Sequence, residues 1–374
     1  MLTAFGTRPE LIKLGPVLAE LEARAESFRT VNVSTGQHAD LLVPFLKLFD
    51  TRIDYDLNVM HPGQSLNHLF ARVLERIDPL LESVKPDVVL VQGDTTTAAA
   101  VALGAFHRRI PVGHVEAGLR TGDPLSPFPE EMNRRLVSRM ARWHFAGTKN
   151  HVRTLRNEGV PRDCIYRTGN PVVDALESLG RADCSPALRK LLDETAGLKR
   201  LAFTSHRREN FGSVLEDNLR VVRCFAERHA DVAVLFPMHP NPIVREKAYS
   251  VLAGVERIFL LEPLDYADFI RLLSESWAIA SDSGGVQEEA PSLGKPLLIL
   301  RGSTERPEVL DTGLARLAAT PELFAEMLED LYRSDTPAVP TANPFGDGRA
   351  SRRIASILDR VLNGRAAQAK RVTA

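Results

Sequence analysis

The chain has 374 residues, with 47 Lys and Arg against 48 Asp and Glu and a formal net charge of −1. At ~100–200 residues per domain this length suggests two domains, and the balanced charge excludes a general attraction to nucleic acid or an anionic membrane. No stretch approaches the ~18 consecutive apolar residues of a membrane span, and the opening Met1–Gly6 has no basic region, so a cytoplasmic protein is expected.

The first feature in chain order is Phe5-Gly6-Thr7-Arg8-Pro9-Glu10, a strand-to-helix turn with the proline in the first helical turn. Arg8 can reach a phosphate from there, with Lys13 on the same helix; a solvated surface charge explains Arg8 equally well. Apolar residues then recur at helical spacing over Leu11–Leu21, and Val31–Val33 reads as a strand. Helix is expected over Leu66–Leu81, strand over Val88–Val91, helix over Thr97–Phe106 and strand over Val112–Val115. Asp94 follows one of these strands and Glu116 the other, so neighbouring parallel strands can bring both acids to one crevice. Asp94 can equally be a helix cap, whereas an acid ending an apolar strand, as Glu116 does, is costly without a partner or role. Glu130 begins a helix after Pro127 and Pro129, an ordinary place for an acid.

Cys164–Arg167 is strand-like and runs into the turn Gly169-Asn170-Pro171. The first domain is therefore set at 1–168 and the second at 169–348. In the second, strands are expected at Leu201–Thr204, Val232–Phe236, Ile258–Leu261, Ala278–Ala280 and Leu297–Leu300, with helices at Val214–Phe225 and Phe269–Leu273. His206 and His239 lie just past strands, where imidazole can bond or protonate phosphate oxygens. Arginines beside His206 oppose a metal ion there. In Asp282-Ser283-Gly284-Gly285 two glycines allow close backbone approach, and the free N–H groups of a helix start suit a pyrophosphate. Glu289, further along that helix, can take ribose hydroxyls, although a plain cap with a surface acid also fits the segment. Arg301 and Arg306 follow the next strand. Residues 336–348 are rich in Pro, Gly and Asn; a helix at 349–363 is expected to return to the first domain, and 364–374 to be a poorly ordered tail. Three cysteines, Cys164, Cys184 and Cys224, have the spacing of neither a disulfide framework nor a zinc knuckle. The whole pattern is α/β, two Rossmann-like domains facing across a cleft.

In order along the chain, Phe5–Glu10, Gln37-His38, Gly93–Thr96, His114–Thr121, Pro129–Arg134, Thr168–Pro171, His206–Asn210, Asp282–Pro291, Thr304–Glu308 and Asn343–Gly348 together resemble the non-hydrolysing UDP-N-acetylglucosamine 2-epimerases. The resemblance implies a GT-B-like fold, a homodimer, and neither metal nor nicotinamide. It implies elimination of UDP to 2-acetamidoglucal and re-addition with inversion at C2. By resemblance, Asp94, Glu116, Glu130 and His206 are catalytic, while Arg8, Lys13, Arg134, Ser283, Gly284, Gly285, Glu289 and Arg306 bind the UDP-N-acetylhexosamine. A second, activating nucleotide is implied at Gln37, His38, Gln64, Glu131, Arg207 and His239, although Gly63 stands where some relatives carry an arginine. A hydrolysing 2-epimerase, whose members usually carry Asp at the position of Thr7, and a retaining GT-B glycosyltransferase are the competing readings.

Overall fold

The computed structural model describes residues 1–36, 39–61, 63–180, 183–207, 212–334 and 343–372, with side chains left aside at 39–41, 43–44 and 364–372. The chain forms two units, Met1–Ala175 with Phe345–Ala374, and Leu176–Pro344. In the first, strands β1 (Leu2–Phe5), β2 (Val31–Ser34), β3 (Tyr55–Asp56), β4 (Val89–Gln92), β5 (Val112–Val115), β6 (Trp143–Ala146) and β7 (Ile165–Arg167) form a sheet of order β3-β2-β1-β4-β5-β6-β7. Every pairing is parallel. Helices cover both faces of such a sheet, which is why β1, β4 and β5 are buried at every position instead of alternating.

In the second unit, β8 (Lys199–Thr204), β9 (Val232–Pro237), β10 (Ile258–Leu261), β11 (Ala278–Ser281), β12 (Leu297–Ile299) and β13 (Ala315–Leu317) form a parallel sheet of order β10-β9-β8-β11-β12-β13. Its core includes Phe203, Phe236 and Phe324, the first two meeting edge to face at 4.9 Å. Strand order reverses between β1 and β4 in one unit and between β8 and β11 in the other. Loops leaving such a switch point diverge to opposite faces and open a crevice at the carboxyl ends of the strands.

The chain returns to the first unit through a set of polar contacts. Asn170 N donates to Phe345 O at 2.6 Å. Asp174 accepts the N–H groups of Ala350 and Ser351 at 3.1 and 2.8 Å, satisfying the start of helix Ala350–Val372 from outside it. That helix packs on helix Arg8–Glu22, and Arg24, just past the latter's end, donates to Ser356 Oγ at 3.1 Å. The first unit thus runs through the Gly-Asn-Pro turn to Ala175, beyond the boundary expected at 168, because Asn170 and Asp174 bind the returning segment. The last helix continues to Val372, past the start of the expected tail; the Ala, Gln, Lys and Arg after Gly364 are strong helix formers. Among the described residues, no helix is long and apolar enough to cross a membrane.

Candidate active site

In the first unit the expected acids follow β4 and β5, and the expected cations Arg8 and Lys13 follow β1. Glu116, one residue past β5, is buried and has φ +64°, a left-handed conformation that costs a side chain of this kind about 1–3 kcal/mol. Lys13 Nζ donates to its Oε1 at 2.6 Å and Gln92 Nε2 to its Oε2. An acid at the end of an apolar strand therefore has its partners, and both are buried or nearly so.

Asp94 is not the cap of the following helix. Thr95 caps Thr96–His107 by accepting Ala98 N–H at 3.0 Å, which leaves the Asp94 carboxylate to the Arg134 guanidinium, whose Nε donates at 3.1 Å. Arg134 also donates to Glu131 Oε2 at 3.1 Å, and Asn133 Nδ2 to Asp94 O at 2.9 Å. Glu131 is fully buried and accepts in addition from Thr121 N at 3.0 Å and Arg135 Nε at 2.9 Å. Glu130 opens helix Glu130–Met140 and is half-buried. One turn of this helix thus presents Glu130, Glu131 and Arg134 close to the end of β4.

Two further groups hold these loops, and neither was assigned a role from the sequence. Glu10 accepts Gly6 N at 2.9 Å, Thr7 N and Thr7 Oγ1 both at 2.8 Å, and Thr95 Oγ1 at 2.7 Å, joining the loops after β1 and β4 across the switch point. Burial pushes its carboxyl above the usual range, against these four donors. His114 places Nε2 2.8 Å from Gly93 O and so steadies the turn into Asp94; burial pulls its imidazole down to about 3, so the ring is neutral and Nε2 carries the hydrogen. Arg8 is exposed, 5.9 Å over the Phe45 ring.

In the second unit Ser283 is the cap residue of helix Gly284–Ser292, but its hydroxyl makes no cap bond, so both the hydroxyl and the first helical N–H groups remain for an anion. A Cβ on Gly284 would lie 2.9 Å from Arg306 Nη1 and 3.4 Å from Arg207 Nη2, so two guanidinium groups stand against this backbone. Arg306 Nε donates to Glu288 Oε1 at 2.6 Å, and Glu305 lies 3.3 Å from Arg306 and 3.8 Å from Arg207. Gly285 is exposed, and Glu289, one turn on, is buried and accepts Tyr266 Oη at 2.8 Å. Across the β8–β11 switch point, fully buried Asp282 accepts Ser205 Oγ at 2.8 Å, His206 N at 3.0 Å and Arg207 N at 3.1 Å. His206 Nδ1 lies 3.1 Å from Asp282 Oδ1, and its ring stacks on that of His239 at 5.8 Å. Burial alone would raise the Asp282 carboxyl; the His206 side chain together with the Arg207 N–H and Ser205 hydroxyl donors outweighs it and holds the group at about 2.

The structure therefore brings Lys13, Asp94, Glu116, Glu130 and Arg134 to one end of the first sheet, and His206, Arg207, His239, Ser283, Gly284 and Arg306 to the corresponding end of the second. Gln64, half-buried, bonds Met60 Sδ at 3.0 Å and, among the described residues, joins neither group. Gln37 and His38 lie outside the described residues, as do residues 208–210 of the His206–Asn210 stretch. Asp282 was missed although it carries the signal used for Glu116, an acid directly after an apolar strand. Glu10, Gln92 and Tyr266 carry no such signal.

Residues 19–359 match the family model described as UDP-N-acetylglucosamine 2-epimerase. A probable UDP-N-acetylglucosamine 2-epimerase of Ralstonia solanacearum is 46% identical over 364 residues, covering 95% of this chain and 97% of its own. The UDP-N-acetylglucosamine 2-epimerase of Salmonella typhimurium is 45% identical over 368 residues, covering 96% and 98%. Among solved structures, the UDP-GlcNAc 2-epimerase of Neisseria meningitidis bound to UDP-GlcNAc superposes with a TM-score of 0.87 at 40% identity, over 96% of this chain and 98% of its own. With two parallel Rossmann-like sheets, acids at the end of one and an anion-ready helix start at the end of the other, the chain belongs to the UDP-N-acetylglucosamine 2-epimerase family.

Proposed function

We propose that the chain interconverts UDP-N-acetylglucosamine and UDP-N-acetylmannosamine without releasing the sugar. The observation that carries this reading is the pair of partnered acids, Glu116 with Lys13 and Asp94 with Arg134, in a chain of this family. A base among Asp94, Glu116 and Glu130 takes the C2 proton. The electron pair of the C2–H bond becomes the C1–C2 double bond, the C1–O bond breaks, and 2-acetamidoglucal and UDP result. UDP oxygen then returns to C1 as a second acid delivers a proton to the other face of C2. General acid and base groups contribute about 10²–10⁴-fold to such a step. The C2 hydrogen is weakly acidic, so relief of charge on the departing pyrophosphate carries the larger share. Arg8, His206, Ser283 and the Gly284 and Gly285 backbone are the proposed acceptors of that charge, with Glu289 on the ribose and Arg306 on sugar or phosphate.

In this reading the first unit supplies acid-base chemistry and the second grips UDP. The active species is a cytoplasmic homodimer of the 41.3 kDa chain, checked by sedimentation. A second nucleotide near Gln64, Glu131, Arg207 and His239, with Gln37 and His38, activates it. Glu131 supports this part, since its buried carboxylate joins Arg134, and through it Asp94, to Arg135.

The test is proton NMR of UDP-N-acetylglucosamine incubated with the protein in deuterated water. The expected product is UDP-N-acetylmannosamine deuterated at C2. Epimerised product without solvent deuterium overturns elimination, and accumulation of UDP with free N-acetylmannosamine makes the chain a hydrolysing enzyme.

A further inference from the structure

We infer that Asp282 is the positioning residue for His206: it fixes the imidazole with Nδ1 protonated, leaves Nε2 for the pyrophosphate, and ties the loop after β8 to the helix start after β11. The inference deepens the proposed function and rests on it for what His206 does to substrate.

Asp282 meets four donors from a single loop, Ser205 Oγ, His206 N, Arg207 N and His206 Nδ1, at 2.8 to 3.1 Å. It is wholly buried, whereas the His206 side chain is 37% exposed, so one partner is an interior support and the other remains accessible. An ionised carboxylate only accepts hydrogen bonds. The ring nitrogen facing Asp282 therefore carries a hydrogen whether His206 is neutral or charged.

The chemical consequence concerns Nε2. In the neutral ring it holds a lone pair and can only accept, so His206 donates to a phosphate oxygen only as imidazolium. Among the described residues, Asp282 from the loop after β11 meets the ring at Nδ1 and His239 from the loop after β9 stacks on it, while the neighbouring Arg207 pairs with Glu305. Asp282 also holds the N–H of Arg207, whose guanidinium stands against the Gly284 backbone, so one carboxylate ties the loop after β8 to the helix start that is proposed to meet the pyrophosphate.

Substituting Asp282→Asn tests this. The three other donors of the loop still need an acceptor, which turns the amide NH₂ toward Nδ1 and moves the ring hydrogen to Nε2. Nitrogen-15 NMR of protein labelled at histidine should show the neutral His206 ring protonated at Nδ1 in the wild type and at Nε2 in the variant. The kcat for C2 exchange should fall by about 10²-fold while KM changes little, because a neutral ring donating through Nε2 still bonds a phosphate oxygen but brings no positive charge and no readily transferable proton to the departing pyrophosphate. A wild-type ring protonated at Nε2, or a variant that keeps both tautomer and kcat, overturns the inference. If Asp282→Asn does not fold, the wild-type spectrum decides by itself. If the wild type exchanges no C2 proton, the functional reading fails while the spectrum still judges the tautomer.

Discussion

Glu116 and His114 stand two residues apart around the end of β5 and show how differently one strand end treats two titratable groups. Glu116 is given a cation and an amide donor, so its charge is matched within 3 Å by Lys13. His114 is given a carbonyl and no counter-charge, and its imidazole drops from 6.5 to about 3 because burial penalises the charged ring. The folded pKa lies below the unfolded one, so the stability it contributes is complete above pH 6.5 and is lost as pH falls toward 3, the unfolded chain binding the proton more readily. Each pH unit crossed inside that window should cost about 1.4 kcal/mol. Melting curves recorded from pH 7 to pH 4 should show this decline, and His114→Gln, which keeps a donor for Gly93 O, should flatten it. An identical slope in the variant would assign the acid sensitivity to other groups.

The segment after β5 is a compressed element. Glu116 and Gly118 both have positive φ, at +64° and +97°, and a Cβ on Gly118 would fall 2.5 Å from His151 O. Gly118→Ala should therefore destabilise the protein by about 2 kcal/mol or more, through both backbone conformation and the clash, and should lower activity by displacing Glu116. Thermal melting together with C2 exchange checks it, and an unchanged melting temperature would show that His151 can move aside. Elements of the two sheets were unequally legible. Val112–Val115 and Ile258–Leu261 form strands over the expected residues because a buried parallel strand is a plain apolar run bounded by turn residues. Trp143–Ala146 was missed, since Trp-His-Phe-Ala is short and mixes His144 into the strand. Ala315–Leu317 and Tyr55–Asp56 were missed because three or two residues make no pattern, and only their neighbours define them. At the site, Asp94 and Glu116 were legible from their place after strands. Gln92 was not, because an amide that meets a carboxylate 24 positions away leaves no local trace.

At the scale of the whole molecule, a buried carboxylate spans each switch point. Glu10 ties the loops after β1 and β4, and Asp282 those after β8 and β11. Both occur where the two diverging loops would otherwise leave donors facing an open crevice, so each unit closes the floor of its own crevice before any ligand arrives. The chain path has a separate logic: the second unit is inserted into the first, leaving after Ala175 and returning at Phe345. Asn170 N sits 2.6 Å from Phe345 O, and Asp174 touches Ala350, so exit and entry are adjacent. In genetic terms the second unit is a cassette. Deleting residues 176–344 and bridging the ends with a short glycine linker should yield a first unit that folds cooperatively around its own apolar core, because closing a short gap adds little loop entropy. Circular dichroism with a sigmoidal melt is the expected result, and a non-cooperative melt would mean that the first unit depends on its insert. Such an adjacency also makes the boundary a place where a different second unit can be accepted without redrawing the first.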